Sequence, residues 1–129
     1  MTGRSTSGDN PRLSRLSGIC LALPEVVREL SGSHATFRVK GKTFGYFLDD
    51  HHGDGIVAVA VRALPGENTA WIAQDPKRFY LPAYVGPRGW VGFRLDVGRP
   101  DWALVTDLVH DSYRLAAPKR LGGLVPRHR

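Results

Sequence analysis

The stretch HATFRVKGKTFGYFL, His34 to Leu48, decides the fold. Ala35, Phe37 and Val39 alternate with Thr36, Arg38 and Lys40, the two-residue period of a strand with one face on a core. Gly41 and Lys42 then make a tight turn and Thr43 to Leu48 run back alongside, so the segment reads as a β-hairpin. Pairing of its arms brings Arg38, Lys40 and Lys42 together as a basic hairpin tip.

Upstream of the hairpin, Asn10 followed by Pro11 reads as a cap with a first-turn proline. Leu13, Leu16, Cys20 and Leu23 recur at helical spacing, which predicts a first helix ending at Pro24. Cys20 on that stripe reads as a buried small hydrophobe rather than a nucleophile. Residues 1–10 carry no apolar side chain after the initiator and are expected to be flexible. Downstream, DDHHGDG at Asp49 to Gly55 is too polar for a strand and predicts a surface loop leading into a third strand, Ile56 to Arg62. A short helix is expected at Glu67 to Gln74, and Pro82 limits Phe79 to Val85 to a short edge strand or extended loop. Gly89 to Val97 alternates Val91, Phe93, Leu95 and Val97 with Trp90, Gly92, Arg94 and Asp96, the pattern of a final strand. Pro100 and Asp101 open a long helix that buries Leu104, Val105, Leu108, Val109, Ser112 and Ala116 and stops near Pro118. The reading is α+β, one domain over residues 11–121, with 122–129 expected as a flexible basic tail.

At 129 residues, 42% hydrophobic and 23% charged, the chain has the size and mix of a single soluble domain. Lys plus Arg number 18 against 12 acids, a formal charge of +6, which favours an anionic partner. That excess is uneven: Met1 to Leu48 holds seven bases and three acids, Asp49 to Asp75 one and five, Pro76 to Arg129 ten and four. A polyanion would meet a surface built from both ends of the chain, with the acidic middle turned away. A single cysteine excludes an intramolecular disulfide and a Cys-rich zinc site and fits a reducing compartment. Neither a signal-peptide core nor a run approaching the ~18 apolar residues of a membrane helix is present, so the expectation is a cytoplasmic protein with no membrane partner.

Four stretches carry a family resemblance: CLALPEV at Cys20 to Val26, GSHATFRVKGKTFGYF at Gly32 to Phe47, DPKRFYLPAYVGPRGWVGFRLD at Asp75 to Asp96, and DSYRLAAPKRL at Asp111 to Leu121. Together they resemble the MmcQ/YjbR family over about Leu13 to Leu121. The resemblance implies an antiparallel sheet with helices packed on one face, similar to the frataxin (CyaY)-like fold and described as a double-wing arrangement. It also implies a DNA-binding role that rests on fold likeness. The Asp49 to Gly55 loop and the segment after Leu121 are particular to this chain.

Charge puts nucleic-acid binding first, through Arg38, Lys40, Lys42, Lys77, Arg78, Arg88, Arg94, Lys119 and Arg120. Lysines and arginines so spaced suit successive phosphates, giving affinity that weakens with salt but no sequence reading. Tyr84 and Trp90, flanking Arg88, offer a stacking surface for single strands. A solvated basic face with core aromatics explains the same residues without a ligand. No basic recognition helix follows a glycine turn, which disfavours a helix-turn-helix reader. The alternative is a non-catalytic small-ligand, anion or protein-interaction module. Its pocket would lie near GPRGW, with Arg88 as the clamp and His34, Tyr80, Tyr84 and Trp90 as lining. Gly86, Pro87 and Gly89 also read simply as turning the chain into the last strand. Asp49, Asp50, His51, His52 and Asp54 are metal-capable residues at spacings poor for a defined site, so no metal and no cofactor is assigned. The first helix carries Arg12 and Arg15 and no acid, which argues against iron handling of the frataxin kind. His110 between Asp107 and Asp111 fits a solvated helix face, and no catalytic constellation was found, which leans away from an enzyme.

Overall fold

A computed structural model describes residues 11–126; the expectations for residues 1–10, for the Asn10 cap and for 127–129 lie outside the described residues. Within that range the chain is α+β, as the sequence implied. Helix α1 (Pro11–Leu21) leads into strands β1 (Val26–Ser31), β2 (His34–Val39), β3 (Lys42–Asp49) and β4 (Val57–Arg62). Helix α2 (Glu67–Gln74), strands β5 (Phe79–Tyr80) and β6 (Trp90–Arg94), and helices α3 (Trp102–Ala116) and α4 (Lys119–Gly122) follow. All strand pairs are antiparallel and the sheet order is β1-β2-β3-β4-β6-β5.

The hairpin at the centre of the sequence reading is β2–β3, and Val39 pairs with Lys42. Its turn is therefore Lys40–Gly41, one residue earlier than the pattern suggested, with both φ angles positive at 50° and 79°. That conformation matches a two-residue turn to the twist of its strands. A bulge interrupts the pairing between Phe37 and Arg38, so Phe44 is left without an opposite residue. Phe44 is fully buried, edge-on to Tyr113 of α3 at 5.4 Å. Ser112 Oγ donates to the Phe44 carbonyl at 2.5 Å and accepts from the Arg62 amide at 2.8 Å, so one hydroxyl ties α3 to both β3 and the end of β4.

One face of the sheet carries Ala35, Phe37, Val39, Phe47, Val59, Val61, Val91 and Phe93, and all are buried in a single core. Leu13, Leu16 and Cys20 of α1, Trp71 and Ile72 of α2, and Val105, Leu108, Val109 and Tyr113 of α3 cover it. A fully buried side chain of this kind contributes about 1.5–3 kcal/mol. Asp101 is the cap of α3, its carboxylate accepting the Leu104 amide at 3.1 Å, so Pro100 precedes the helix rather than starting it.

Three expectations need correction. The first helix stops at Leu21, and Val26–Ser31 forms an edge strand that the sequence reading passed over. The last strand ends at Arg94 rather than Val97, beyond which the chain bends toward α3. Residues 122–126 are not a flexible tail: α4 sets Leu121 and Val125 into the core at 2% and 4% exposure, and Arg114 Nη2 donates to the Pro126 carbonyl at 2.6 Å. Apolar burial outweighs the basic character of this segment.

Candidate nucleic-acid interface

The strand registers sort the charges by end of the sheet. At one end β1 begins, β2 ends, β3 begins, β4 ends and β6 begins, which places Lys40, Lys42 and Arg62 together with Arg88 just ahead of β6. Helix α4 joins this end through Glu25, which takes Lys40 Nζ at 2.7 Å on one oxygen and lies 3.9 Å from Arg120 on the other. Arg38, Lys40, Lys42, Arg88, Lys119 and Arg120 thus share one end. With strands about 4.8 Å apart, that end spans roughly 20 Å from β1 to β6.

Lys77, Arg78 and Arg94 lie at the opposite end. The Arg94 amide donates to the Arg78 carbonyl at 2.7 Å, and the acidic β3–β4 loop with Asp49, Asp50 and Asp54 closes the same end. Arg94 is consumed there by Asp96, which accepts Nε and Nη2 at 3.0 and 3.1 Å. Burial alone would raise the Asp96 carboxyl, but hydrogen bonds from Arg94 and the Val57 amide outweigh it and hold the pKa low. The nine cations singled out in the sequence therefore form two groups, six with a shared exposed end and three among acids.

Within the group of six, not every charge is available. Arg38 pairs with Glu29, and Lys40 and Arg120 share Glu25. The Lys40 hydrogen bond, helped by the positive charges of Lys40 and Arg120, holds the exposed Glu25 carboxyl below its ordinary range. Lys42, Arg88 and Lys119 are exposed and make no ion pair among the described residues. These three are the cations a phosphate would meet without competition.

The ligand pocket expected from His34, Tyr80, Tyr84, Arg88 and Trp90 does not form as one site. Arg88 lines a cleft of about 500 Å³ beside Gly66, Asn68 and Thr69 at the start of α2. Asn68 is buried there and its amide donates to the Gly86 and Trp90 carbonyls, both at 3.2 Å, which fixes the GPRG turn against α2. Tyr84 instead lines a separate pocket of about 210 Å³ with Tyr46, Leu48, His51, Pro82 and Val85. His34 stands beside it, edge-on to His51 at 5.3 Å with Nε2 3.1 Å from the Asp49 carbonyl. Trp90 is only 4% exposed, held between the Tyr46 ring at 5.2 Å and the Arg62 guanidinium at 5.3 Å, so it offers no stacking surface.

A cross-strand row on the face away from the helices runs Glu29, Thr36, Tyr46, Ala60, Gly92, Tyr80. Tyr46 was missed in the sequence; the signal was the placement of the small residues Ala60 and Gly92 on an outer face, which leaves room for large rings beside them. Tyr80 lies across Gly92, and its hydroxyl is buried with no partner among the described residues. Burial pushes that hydroxyl up to about 12. Replacing Tyr80 with Phe removes an unmatched polar atom, so thermal unfolding of Tyr80→Phe is expected at or above the native Tm. A loss exceeding about 1 kcal/mol would mean that the hydroxyl is hydrogen-bonded after all.

Other sequence candidates are placed plainly. Cys20 is buried in the core, and burial pushes its thiol far up. Arg12 Nε donates to the Leu95 carbonyl at 3.1 Å and Arg15 lies over Trp102 at 5.2 Å, so α1 is tied to the end of the β6 segment and to the first turn of α3. Among the described residues no group of three or more His, Cys, Asp or Glu side chains converges, and no helix is long and apolar enough to cross a membrane.

The family model described as YjbR matches residues 21–115. Among solved structures, the chain is similar to the crystal structure of Deinococcus radiodurans protein DR2400, a DUF419 domain. The two share 20% identity over 78% of this chain and 74% of that one, with a TM-score of 0.63. That likeness shows the fold. The comparison with curated proteins gives no match.

Proposed function

Since the chain belongs to the YjbR family, whose model spans residues 21–115, we propose that it binds DNA through the cationic end of its sheet. The observation that carries this reading is the uneven placement of charge: six basic side chains share one end with only Glu25 and Glu29, whereas Lys77, Arg78 and Arg94 at the other stand among Asp75, Asp96 and the acids of the β3–β4 loop. Opposed fields of this kind orient a polyanion as well as attract it. The contacts are to phosphates, so the expected binding is weakly selective for sequence and strongly dependent on salt.

Titration of a labelled duplex at low and high salt tests the reading, and Glu25→Gln sharpens it. Glu25 competes with phosphate for Lys40 and Arg120. Its neutralisation frees both cations, so Glu25→Gln is expected to bind severalfold tighter at low salt and to lose affinity more steeply as salt rises. Unchanged affinity in this variant would remove Lys40 and Arg120 from the interface. The Arg88 cleft favours a second reading, a small phosphate or carboxylate held beside α2. Absence of DNA binding together with a Tm raised by inorganic phosphate would put that reading first.

A further inference from the structure

From the pocket on the helix-free face of the sheet we infer that the chain prefers single-stranded nucleic acid and takes one unstacked base between Tyr46, Tyr84 and His51. This rests on the DNA-binding reading above and specifies its substrate. The pocket holds about 210 Å³, more than the ~150 Å³ of an apolar cavity that accommodates benzene. Tyr46, Leu48, His51, Pro82, Tyr84 and Val85 line it, a mix of rings and aliphatic groups that suits the faces of a planar heterocycle.

Tyr84 adds a second argument. Its φ is 67°, a backbone region in which a bulky residue is strained and glycine is not, and its side chain is 74% exposed. That backbone places the exposed ring on the pocket wall, where its face is open to a planar ligand.

Position relative to the cations decides which planar ligand. Arg38 lies two residues along β2 from Thr36, which pairs with Tyr46, a distance of about 7 Å along the sheet. Lys42 starts β3 about 13 Å from Tyr46 but pairs with core-facing Val39, so Arg38 is the cation on the pocket's own face. A sugar–phosphate backbone anchored at the cationic end therefore reaches the pocket within a few nucleotides. Beyond the pocket, Asp49, Asp50 and Asp54 surround the loop that carries His51, and phosphates are repelled there. The base enters from the cationic side while the backbone stays on that side. A paired base in a duplex cannot enter at all.

Fluorescence anisotropy with a labelled 12-mer of thymidylate, a matched abasic 12-mer and a 12-base-pair duplex tests this, on the native chain and on Tyr84→Gly. The glycine suits the positive φ, and circular dichroism confirms that the variant folds. The native chain is expected to bind the thymidylate strand roughly 5- to 150-fold tighter than the abasic strand, the worth of one stacked base. In Tyr84→Gly that advantage falls toward parity while the abasic affinity stays. Equal binding of the thymidylate and abasic strands overturns the inference and leaves the phosphate interface standing, as does duplex binding tighter than the single strand. An advantage that survives Tyr84→Gly also overturns it. No binding by any of the three overturns the interface as well.

Discussion

A Gly92→Ala chain is expected to be less stable than the native one by about 2–3 kcal/mol, a fall in Tm of roughly 6–15 °C. A β-carbon at Gly92 would stand 2.5 to 2.9 Å from three atoms of the Tyr80 ring, closer than carbon atoms pack. The ring cannot simply swing aside, because its hydroxyl end is buried. Relief therefore costs either the Tyr80 packing or the β5–β6 pairing. Gly45 serves as the control: it is equally buried, yet an added β-carbon there meets nothing nearer than 3.8 Å, and Gly45→Ala should be nearly neutral. The cause is isolated by a double-mutant cycle. In a Tyr80→Ala background the Gly92→Ala cost should largely vanish, and a cost that persists would place the strain elsewhere.

The elements with strong periodicity were readable because burial imposes it. The β2–β3 hairpin and the α3 stripe follow from alternation or helical spacing against one core. Strand β1 was not readable for the converse reason. As the outer strand it is exposed along most of its length, including Val27 at 63% and Leu30 at 48%, so no two-residue pattern marks VVRELS. The segment after Leu121 read as a tail because glycine, proline and basic residues fill most of it, whereas Val125, beside Leu121, sets it into the core. Tyr113 went unnoticed in the α3 stripe although it is fully buried, its hydroxyl donating to the Pro24 carbonyl at 2.7 Å.

The candidate site was legible as chemistry and not as geometry. Counting bases gave the candidate cations, but only the strand registers show that Arg94, Lys77 and Arg78 stand at the far end from Lys40 and Lys42. Proximity in sequence also misled at YVGPRGW, where Tyr84, Arg88 and Trp90 point to three different surroundings because a 3-10 turn at Gly86–Arg88 separates them.

A chain with Lys42, Arg88 and Lys119 replaced together by Ala is expected to lose DNA affinity by about two to three orders of magnitude near 0.1 M salt. Each is exposed and without an ion pair among the described residues, so each substitution removes a phosphate contact rather than a fold-supporting bridge. Three such contacts carry a salt slope of about 2.7 on logarithmic axes. Net charge alone would predict the same loss wherever three cations are removed, and placement would not. Lys77, Arg78 and Arg99 supply the comparison, since they are surface residues outside the cationic end.

The most direct measurement is the slope of log Kd against log salt for a labelled duplex, taken on the native chain and on both triple variants. The charge-segregated interface predicts that Lys42/Arg88/Lys119→Ala flattens the slope by about 2–3 while Lys77/Arg78/Arg99→Ala leaves it within about half a unit of the native value. Equal flattening by the two variants, or no salt dependence in the native chain, would contradict it.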